Sequence, residues 1–345
     1  MLAVSRDRDP ARRTLVPMSD WRPDELGDGY EQRTIPLGED PDGEGTVEAT
    51  LVRRTPPATV DAAVIYVHGF SDYFFQRELA EFFTERGFAF YALDLRKCGR
   101  SRREGQTGHY VSDLALYDTE LEAALAIVRD ETGGKPVVLS AHSTGGLILP
   151  LWLDRLNRRP GGSKGAGVAG LVLNSPWFDL QGKPLMRSVG TQVIGALAKV
   201  RPTSVIKLPA TDAYGTSLHV SAHGEWDFNT VYKPLDGFPV TYGWLTAVRR
   251  GHAQLHRGLD IGVPSLVLRS SRTRFARAYT PEVDDADAVL DVKQIAKWAG
   301  CLGDAVTSLP IEGARHDVFI SKDAARKAAY AAVDTWLKAN RLPAG

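Results

Sequence analysis

An α/β fold with a mostly parallel central sheet, helices on both faces and one inserted segment is what this sequence predicts, on three observations. Short apolar runs of β-type residues alternate with longer amphipathic stretches over residues 46–175 and again over 256–345. The run Ala62-Ala63-Val64-Ile65-Tyr66-Val67 is apolar without interruption, as a strand covered on both faces must be. The alternation breaks off over residues 176–255, which therefore read as an insertion between two strands of one sheet.

The elements follow in order. Residues 1–45 are rich in Pro, Asp, Glu, Arg and Gly, lack a sustained apolar period, and are expected as an extended, partly ordered lead-in without chemistry. Strands are expected at Val47–Val52, Ala62–Val67 and Phe88–Leu93, with a helix from Gln76 to Arg86 between the last two. A helix from Leu114 to Arg129 and a turn over Gly133–Pro136 lead to a strand at Val137–Leu139, a helix at Gly146–Leu156 and a strand at Leu171–Leu173. The insertion holds many aromatics, Trp177, Phe178, Tyr214, Trp226, Phe228 and Trp244 among them, but few β-α pairs. The rhythm resumes with a strand at Pro264–Leu268, a helix at Val292–Trp298, a strand at Val306–Leu309 and a terminal helix from Asp323 to Leu337. Such crossovers are right-handed.

The chain has 345 residues, 43% hydrophobic and 24% charged, with 42 Lys+Arg against 42 Asp+Glu. That composition belongs to soluble globular proteins with a substantial core. Zero net charge provides no global field to gather phosphates, so no nucleic-acid partner is expected. No window approaches the 18 or so apolar residues of a membrane span, and Met1–Val4 runs directly into charged residues, unlike a secretory signal. A cytoplasmic location is expected. Cys98 and Cys301 sit in no metal-ligand spacing and are expected as buried thiols. No metal and no cofactor is implied, and the sequence sets no oligomeric state.

The most informative stretch is Val137-Val138-Leu139-Ser140-Ala141-His142-Ser143-Thr144-Gly145-Gly146, an apolar strand meeting a serine flanked by small residues and then a helix. A nucleophile elbow requires this pattern, because the serine sits on a strained strand-to-helix turn where neighbouring backbones approach closely. The usual form is Gly-x-Ser-x-Gly, and here Ala141 replaces the first glycine. Ser143 is the candidate nucleophile. A tetrahedral oxyanion needs two preorganised N–H donors, one from the residue after the nucleophile and one from a loop after an adjacent strand. Thr144 and Phe70, the latter in His68-Gly69-Phe70-Ser71 directly after Val67, are the candidates. His68 is expected to organise its loop, since it precedes the serine and the order for this fold is Ser, acid, His. Gly161–Gly167 lacks the spacing of a phosphate loop and is expected as a flexible surface loop.

With these motifs the chain resembles the α/β-hydrolase superfamily, and within it the monoacylglycerol-lipase-like, lysophospholipase-like and serine aminopeptidase hydrolases, over roughly residues 45–340. Leu93–Ser101 looks like that family's Asp-x-Arg-Gly-x-Gly-x-Ser loop, with Lys97 where glycine is usual and with Asp94 and Arg96 expected as structural. The resemblance implies a basic histidine near the C-terminus, and Glu312-Gly313-Ala314-Arg315-His316 matches the family's Glu-Gly-x-x-His segment, so His316 is the candidate. It also implies an acid soon after the penultimate strand, where Ser270–Arg274 contains none. The run Asp284–Asp291 looks like the family's Ala-Asp-x-x-x-(Asp/Pro) turn with an insertion before it. Asp287 is the candidate, with Asp285, Asp291, Asp284 and, one strand earlier, Asp179 left open.

The implied chemistry is two-step acyl transfer through an acyl-enzyme. The implied function is cleavage of carboxylic esters of lipid-like small molecules such as lysophospholipids or monoacylglycerols. An aminopeptidase-like serine peptidase and a non-catalytic binding protein of the same fold are the alternatives. A serine at the elbow excludes the alkyl-enzyme route of the resembling haloalkane dehalogenases and epoxide hydrolases. The insertion would lie as a cap over the strand ends, where open α/β sheets bind ligands, and Trp177 is expected as a substrate-binding wall.

Overall fold

A computed structural model describes residues 21–181, 194–207 and 211–343. Its centre is a nine-stranded sheet in the order β1-β2-β3-β5-β4-β6-β7-β8-β9. The strands are β1 (Arg22–Pro23), β2 (Tyr30–Glu39), β3 (Thr46–Arg54), β4 (Ala62–Val67), β5 (Phe88–Asp94), β6 (Val137–His142), β7 (Val168–Asn174), β8 (Ser265–Ser270) and β9 (Val306–Ile311). β1, β2 and β3 are antiparallel, β3 joins β5 antiparallel, and every pairing from β5 through β9 is parallel.

Every residue of β4, β5 and β6 is buried, because successive side chains leave the sheet on opposite faces and both faces are covered. Ile65, Leu139 and Leu171 pack with α2 (Asp118–Glu131) and α3 (Gly145–Asn157) through Leu121, Leu125 and Trp152. Val64, Val138 and Val172 pack on the other side with Phe83 of α1 (Arg77–Thr84) and with Val333 and Trp336 of the terminal helix Asp323–Ala339.

Four expectations change. Residues 1–20 lie outside the described residues, but the rest of the expected lead-in is part of the sheet, with β2 paired to β3 from Tyr30↔Arg54 to Glu39↔Thr46. Its apolar period is thin because only Tyr30 and Ile35 of β2 are buried and the register shifts between Pro36 and Gly38. The inserted segment ends in a regular helix, Tyr242–Leu255, capped by Thr241 and packed on α3 so closely that a Cβ on Gly251 would lie 2.9 Å from Leu151. Residues 182–193 and 208–210 of that segment lie outside the described residues. The Gly161–Gly167 stretch lies at the surface as expected but forms a regular one-turn helix at Gly162–Gly165, anchored by Ser163, which is buried and donates to the Leu153 carbonyl. Cys98 and Cys301 are free thiols, and Cys301 is only half-buried.

The lead-in also explains Lys97. Its φ of +58° is the left-handed conformation for which glycine is usual, and its fully buried Nζ lies 2.5 Å from Asp40 and 2.9 Å from Glu44. A buried ammonium persists only where carboxylates neutralise it, and the β2–β3 turn supplies two. Among the described residues no helix is long and apolar enough to cross a membrane.

Candidate active site

Ser143 stands between the end of β6 and the start of α3 with φ +52°, a strained conformation for a non-glycine residue. Close backbone approach explains the small residues around it. A Cβ on Gly69 would lie 2.8 Å from the Ser143 Cβ, and one on Gly145 would lie 2.5 Å from the His68 carbonyl oxygen. Gly146 is pressed in the same way against Pro176. Ala141, the departure from the usual pattern, sits inside β6 between Val67 and Leu173, where its methyl fits the sheet.

The structure brings Ser143, His316 and Asp287 together. Ser143 Oγ is 3.0 Å from His316 Nε2, and His316 Nδ1 is 2.9 Å from Asp287 Oδ2. Asp287 is completely buried, and its Oδ1 accepts the backbone N–H groups of Val289 and Leu290 at 2.8 and 2.7 Å. These bonds orient the carboxylate and replace part of its hydration.

The other four carboxylates left open by the sequence are engaged elsewhere. Asp285 pairs with Arg272 at the surface, Asp291 caps the helix Val292–Trp298, and Asp284 pairs with Arg315. Asp179 accepts from Arg249 at 3.0 Å and from the Leu180 N–H at 2.8 Å.

Among the described residues, the backbone N–H groups of Phe70 and Thr144 donate to no protein acceptor. The Phe70 ring lies 4.0 Å from that of Trp244, which lies 5.7 Å from that of Trp177, a run of three aromatics in which Trp244 is buried and Phe70 and Trp177 are half-buried. Trp177 is anchored at its backbone, its N–H donating to the Ser143 carbonyl at 3.0 Å and its own carbonyl meeting His252 Nε2 at 2.9 Å. Burial, and next the Arg249 guanidinium, push His252 down to about 3, so its ring is neutral and donates from Nε2. Aromatics of the inserted segment do not all join this run, since Trp226 and Phe228 border a separate cavity of about 390 Å³ with Tyr73 and Phe75.

His68 organises its loop, with Nδ1 2.7 Å from the Gly69 carbonyl and Nε2 accepting the Leu95 N–H. Asp94 accepts from Phe74 N and from Arg100, and Arg96 forms a two-bond pair with Glu120. Both are structural.

Sequence reasoning missed a second buried polar group beside the first. His142, directly before Ser143, has Nδ1 3.1 Å from Asp72 Oδ2, and Lys233 Nζ lies 2.8 Å from Asp72 Oδ1. Burial alone would raise the Asp72 carboxyl, but the Lys233 ammonium and His142 together hold it well below the usual carboxylate range. The His142 ring stands 4.8 Å from that of His316, and Tyr214 packs edge-on at 5.4 Å. His142 Nε2 and Tyr214 Oη are buried without a hydrogen-bond partner among the described residues. No local pattern announces Lys233, which lies 161 residues from Asp72.

A family model described as serine aminopeptidase, S33, matches residues 58–323. No curated protein matches the chain in sequence. Among solved structures, a soluble variant of monoglyceride lipase from Saccharomyces cerevisiae in complex with a substrate analogue superposes with a TM-score of 0.62 at 17% identity, covering 96% of this chain and 97% of that one. Paleococcus ferrophilus monoacylglycerol lipase gives 0.58 at 16% identity, over 90% of this chain and 99% of that one. A highly thermostable carboxyl esterase from Bacillus coagulans gives 0.59 at 15% identity, over 89% and 98%. At such identities the likeness establishes the fold.

Proposed function

Since the chain belongs to the serine aminopeptidase S33 family and has the α/β-hydrolase fold, we propose that it is a serine hydrolase cleaving carboxylic esters through an acyl-enzyme on Ser143. The observation that carries this reading is the unbroken line from Ser143 Oγ to His316 at 3.0 Å and from His316 to Asp287 at 2.9 Å. In the first step His316 Nε2 takes the hydroxyl proton as Oγ attacks the ester carbonyl. Asp287, accepting from Nδ1–H, holds the ring in the tautomer with a bare Nε2 and stabilises the imidazolium that forms. The N–H groups of Phe70 and Thr144 receive the oxyanion, and one such donor is worth about 10²–10³ in rate. His316 then gives its proton to the leaving alkoxide, and water repeats the sequence to free the acid.

The half-buried aromatics Phe70 and Trp177, backed by Trp244, support an apolar acyl chain beside the nucleophile, and so a lipid-like ester such as a monoacylglycerol or lysophospholipid. The neighbours named as monoglyceride and monoacylglycerol lipases support the same class. An aminopeptidase would need an open carboxylate to bind the substrate ammonium, whereas Asp72 beside the site already holds Lys233 and His142. We take residues 176–255 as the cap of this site. Two free thiols fit a cytoplasmic protein.

The test is hydrolysis of p-nitrophenyl esters from acetate to palmitate by the parent, Ser143→Ala and Asp287→Asn, with fluorophosphonate labelling alongside. Turnover that peaks at an intermediate or long chain and vanishes in Ser143→Ala is expected. A folded parent that neither turns over any ester nor labels would leave the binding-protein alternative standing.

A further inference from the structure

Asp287 is carried on an excursion that the connection from β8 to the next helix does not itself need. β8 ends at Ser270 and the helix begins at Val292. Between them the bridge Thr273↔Asp287, with Asp287 N bonded to Arg272 O at 2.9 Å and Arg274 N to Asp287 O at 2.8 Å, pinches residues 274–286 into a loop. Asp287 sits at the neck of this loop, three residues after Asp284 within it. Misplacement by about 1 Å can cost on the order of 10² in rate.

A second charged contact runs beside the first. Asp284 lies three residues before Asp287, Arg315 lies directly before His316, and Arg315 Nη2 is 2.8 Å from Asp284 Oδ1. Both are buried, at 5% and 2% exposure. Arg315 is fixed to its own loop by Nη1 donating to the Ile320 carbonyl at 3.2 Å and by its backbone N–H donating to Ser321 Oγ at 2.9 Å. Asp284 Oδ2 also takes Lys322 Nζ at 3.0 Å and the Tyr279 hydroxyl at 3.1 Å. The Tyr279 ring in turn stacks on His223 of the inserted segment, 3.9 Å apart and 10° from parallel. Two loops distant in sequence are therefore joined by two adjacent charged contacts, one between acid and base and one between their neighbours.

A buried ion pair contributes little net stability, because desolvation offsets its attraction, but its geometry admits few alternatives. The planar guanidinium sharpens that restriction. We propose that Asp284 and Arg315 are positioning residues that hold the acid-bearing loop in register with His316, so that the Asp287 carboxylate meets Nδ1. The inference rests on the assignment of Ser143, His316 and Asp287 above. Neither Asp284 nor Arg315 acts on substrate.

The experiment compares Arg315→Met, Arg315→Lys, Asp284→Asn and the double variant Asp284→Asn/Asp287→Asn with the parent and Asp287→Asn, as kcat and KM for a p-nitrophenyl ester. In Arg315→Met and Asp284→Asn, kcat is expected to fall about 10- to 100-fold with KM nearly unchanged. Arg315→Lys is expected to recover part of the loss.

In the Asp287→Asn background Asp284→Asn is expected to cost nothing further, because its effect passes through Asp287. Folded single variants with parental kcat overturn the proposal. So does an Asp284→Asn loss of equal size with and without the Asp287 carboxylate. If Arg315→Met does not fold, Tyr279→Phe, which removes one bond to Asp284, takes its place with the same expected direction and the same overturning result. Failure of the underlying assignment is recognised separately, by turnover that survives Ser143→Ala.

Discussion

Lys233 places its ammonium 2.8 Å from Asp72 with both side chains almost fully buried, although one belongs to the inserted segment and the other to the loop after β4. Asp72 carries the contact on to His142, the residue before Ser143. The insertion is thus tied by a buried charge to the turn that holds Ser143.

Removing one member of that pair should cost more than removing both. Lys233→Met leaves the Asp72 carboxylate buried with only His142 to answer it, and a loss of about 3–5 kcal/mol in unfolding free energy is expected. Adding Asp72→Asn should restore a good part of it. Urea unfolding of the two single variants and the double measures this, and additive losses would contradict it.

The acid side of the stability curve should carry the signature of His252. Its folded value of about 3 lies below the ordinary value of 6.5, so the unfolded chain binds this proton first as pH falls. The stabilising contribution is complete above about pH 6.5 and is lost as pH drops from there toward 3, at up to ~1.4 kcal/mol per pH unit. His252→Gln, which can still donate to the Trp177 carbonyl, should flatten the slope over that window. An unchanged slope in a folded variant would count against it.

Gly145 is required for space, since its φ is not in the left-handed region and the obstacle is the His68 carbonyl oxygen 2.5 Å from any added Cβ. Gly145→Ala should destabilise the fold by about 1–3 kcal/mol and displace the elbow. Fluorophosphonate labelling of Ser143 in folded protein should slow sharply. Parental labelling would show that the two loops can separate at no cost.

Among the carboxylates, Asp287→Asn should lower kcat by about 10⁴ by selecting the wrong His316 tautomer. Asp291→Ala should instead cost about 1 kcal/mol of stability through its lost helix cap, with kcat retained. Rates of the two variants at equal folded fraction separate the roles. Equal losses of turnover would reject Asp287 as the acid.

Much of the sheet was legible because strand character is local. Ala62–Val67 appears in the structure with the bounds its apolar run suggests, and the strand expected at Val137–Leu139 starts at Val137 but runs three residues further, to His142. β2 escaped notice because a strand near the sheet's edge buries few side chains, and Asp40 and Glu44 beside it look like surface charges until Lys97 is found beneath them. The helix Tyr242–Leu255 escaped because Gly243 and Gly251, needed for close packing on Tyr110 and Leu151, interrupt its apolar stripe.

The sequence by itself determined the parallel α/β core, the strained turn at Ser143 with its small neighbours, and the histidine near the end of the chain. Those depend on residue type, spacing and order, which near neighbours decide. Only the tertiary structure decided which of five aspartates meets His316, that Lys97 and Lys233 are buried cations with partners from distant segments, and that the Asp284–Arg315 contact runs alongside that of Asp287 and His316. Spacing along the chain carries no such information. An aspartate at the neck of a loop and one three residues earlier look alike until the loop closes and a bridge to Thr273 turns one inward to the imidazole and the other to the guanidinium.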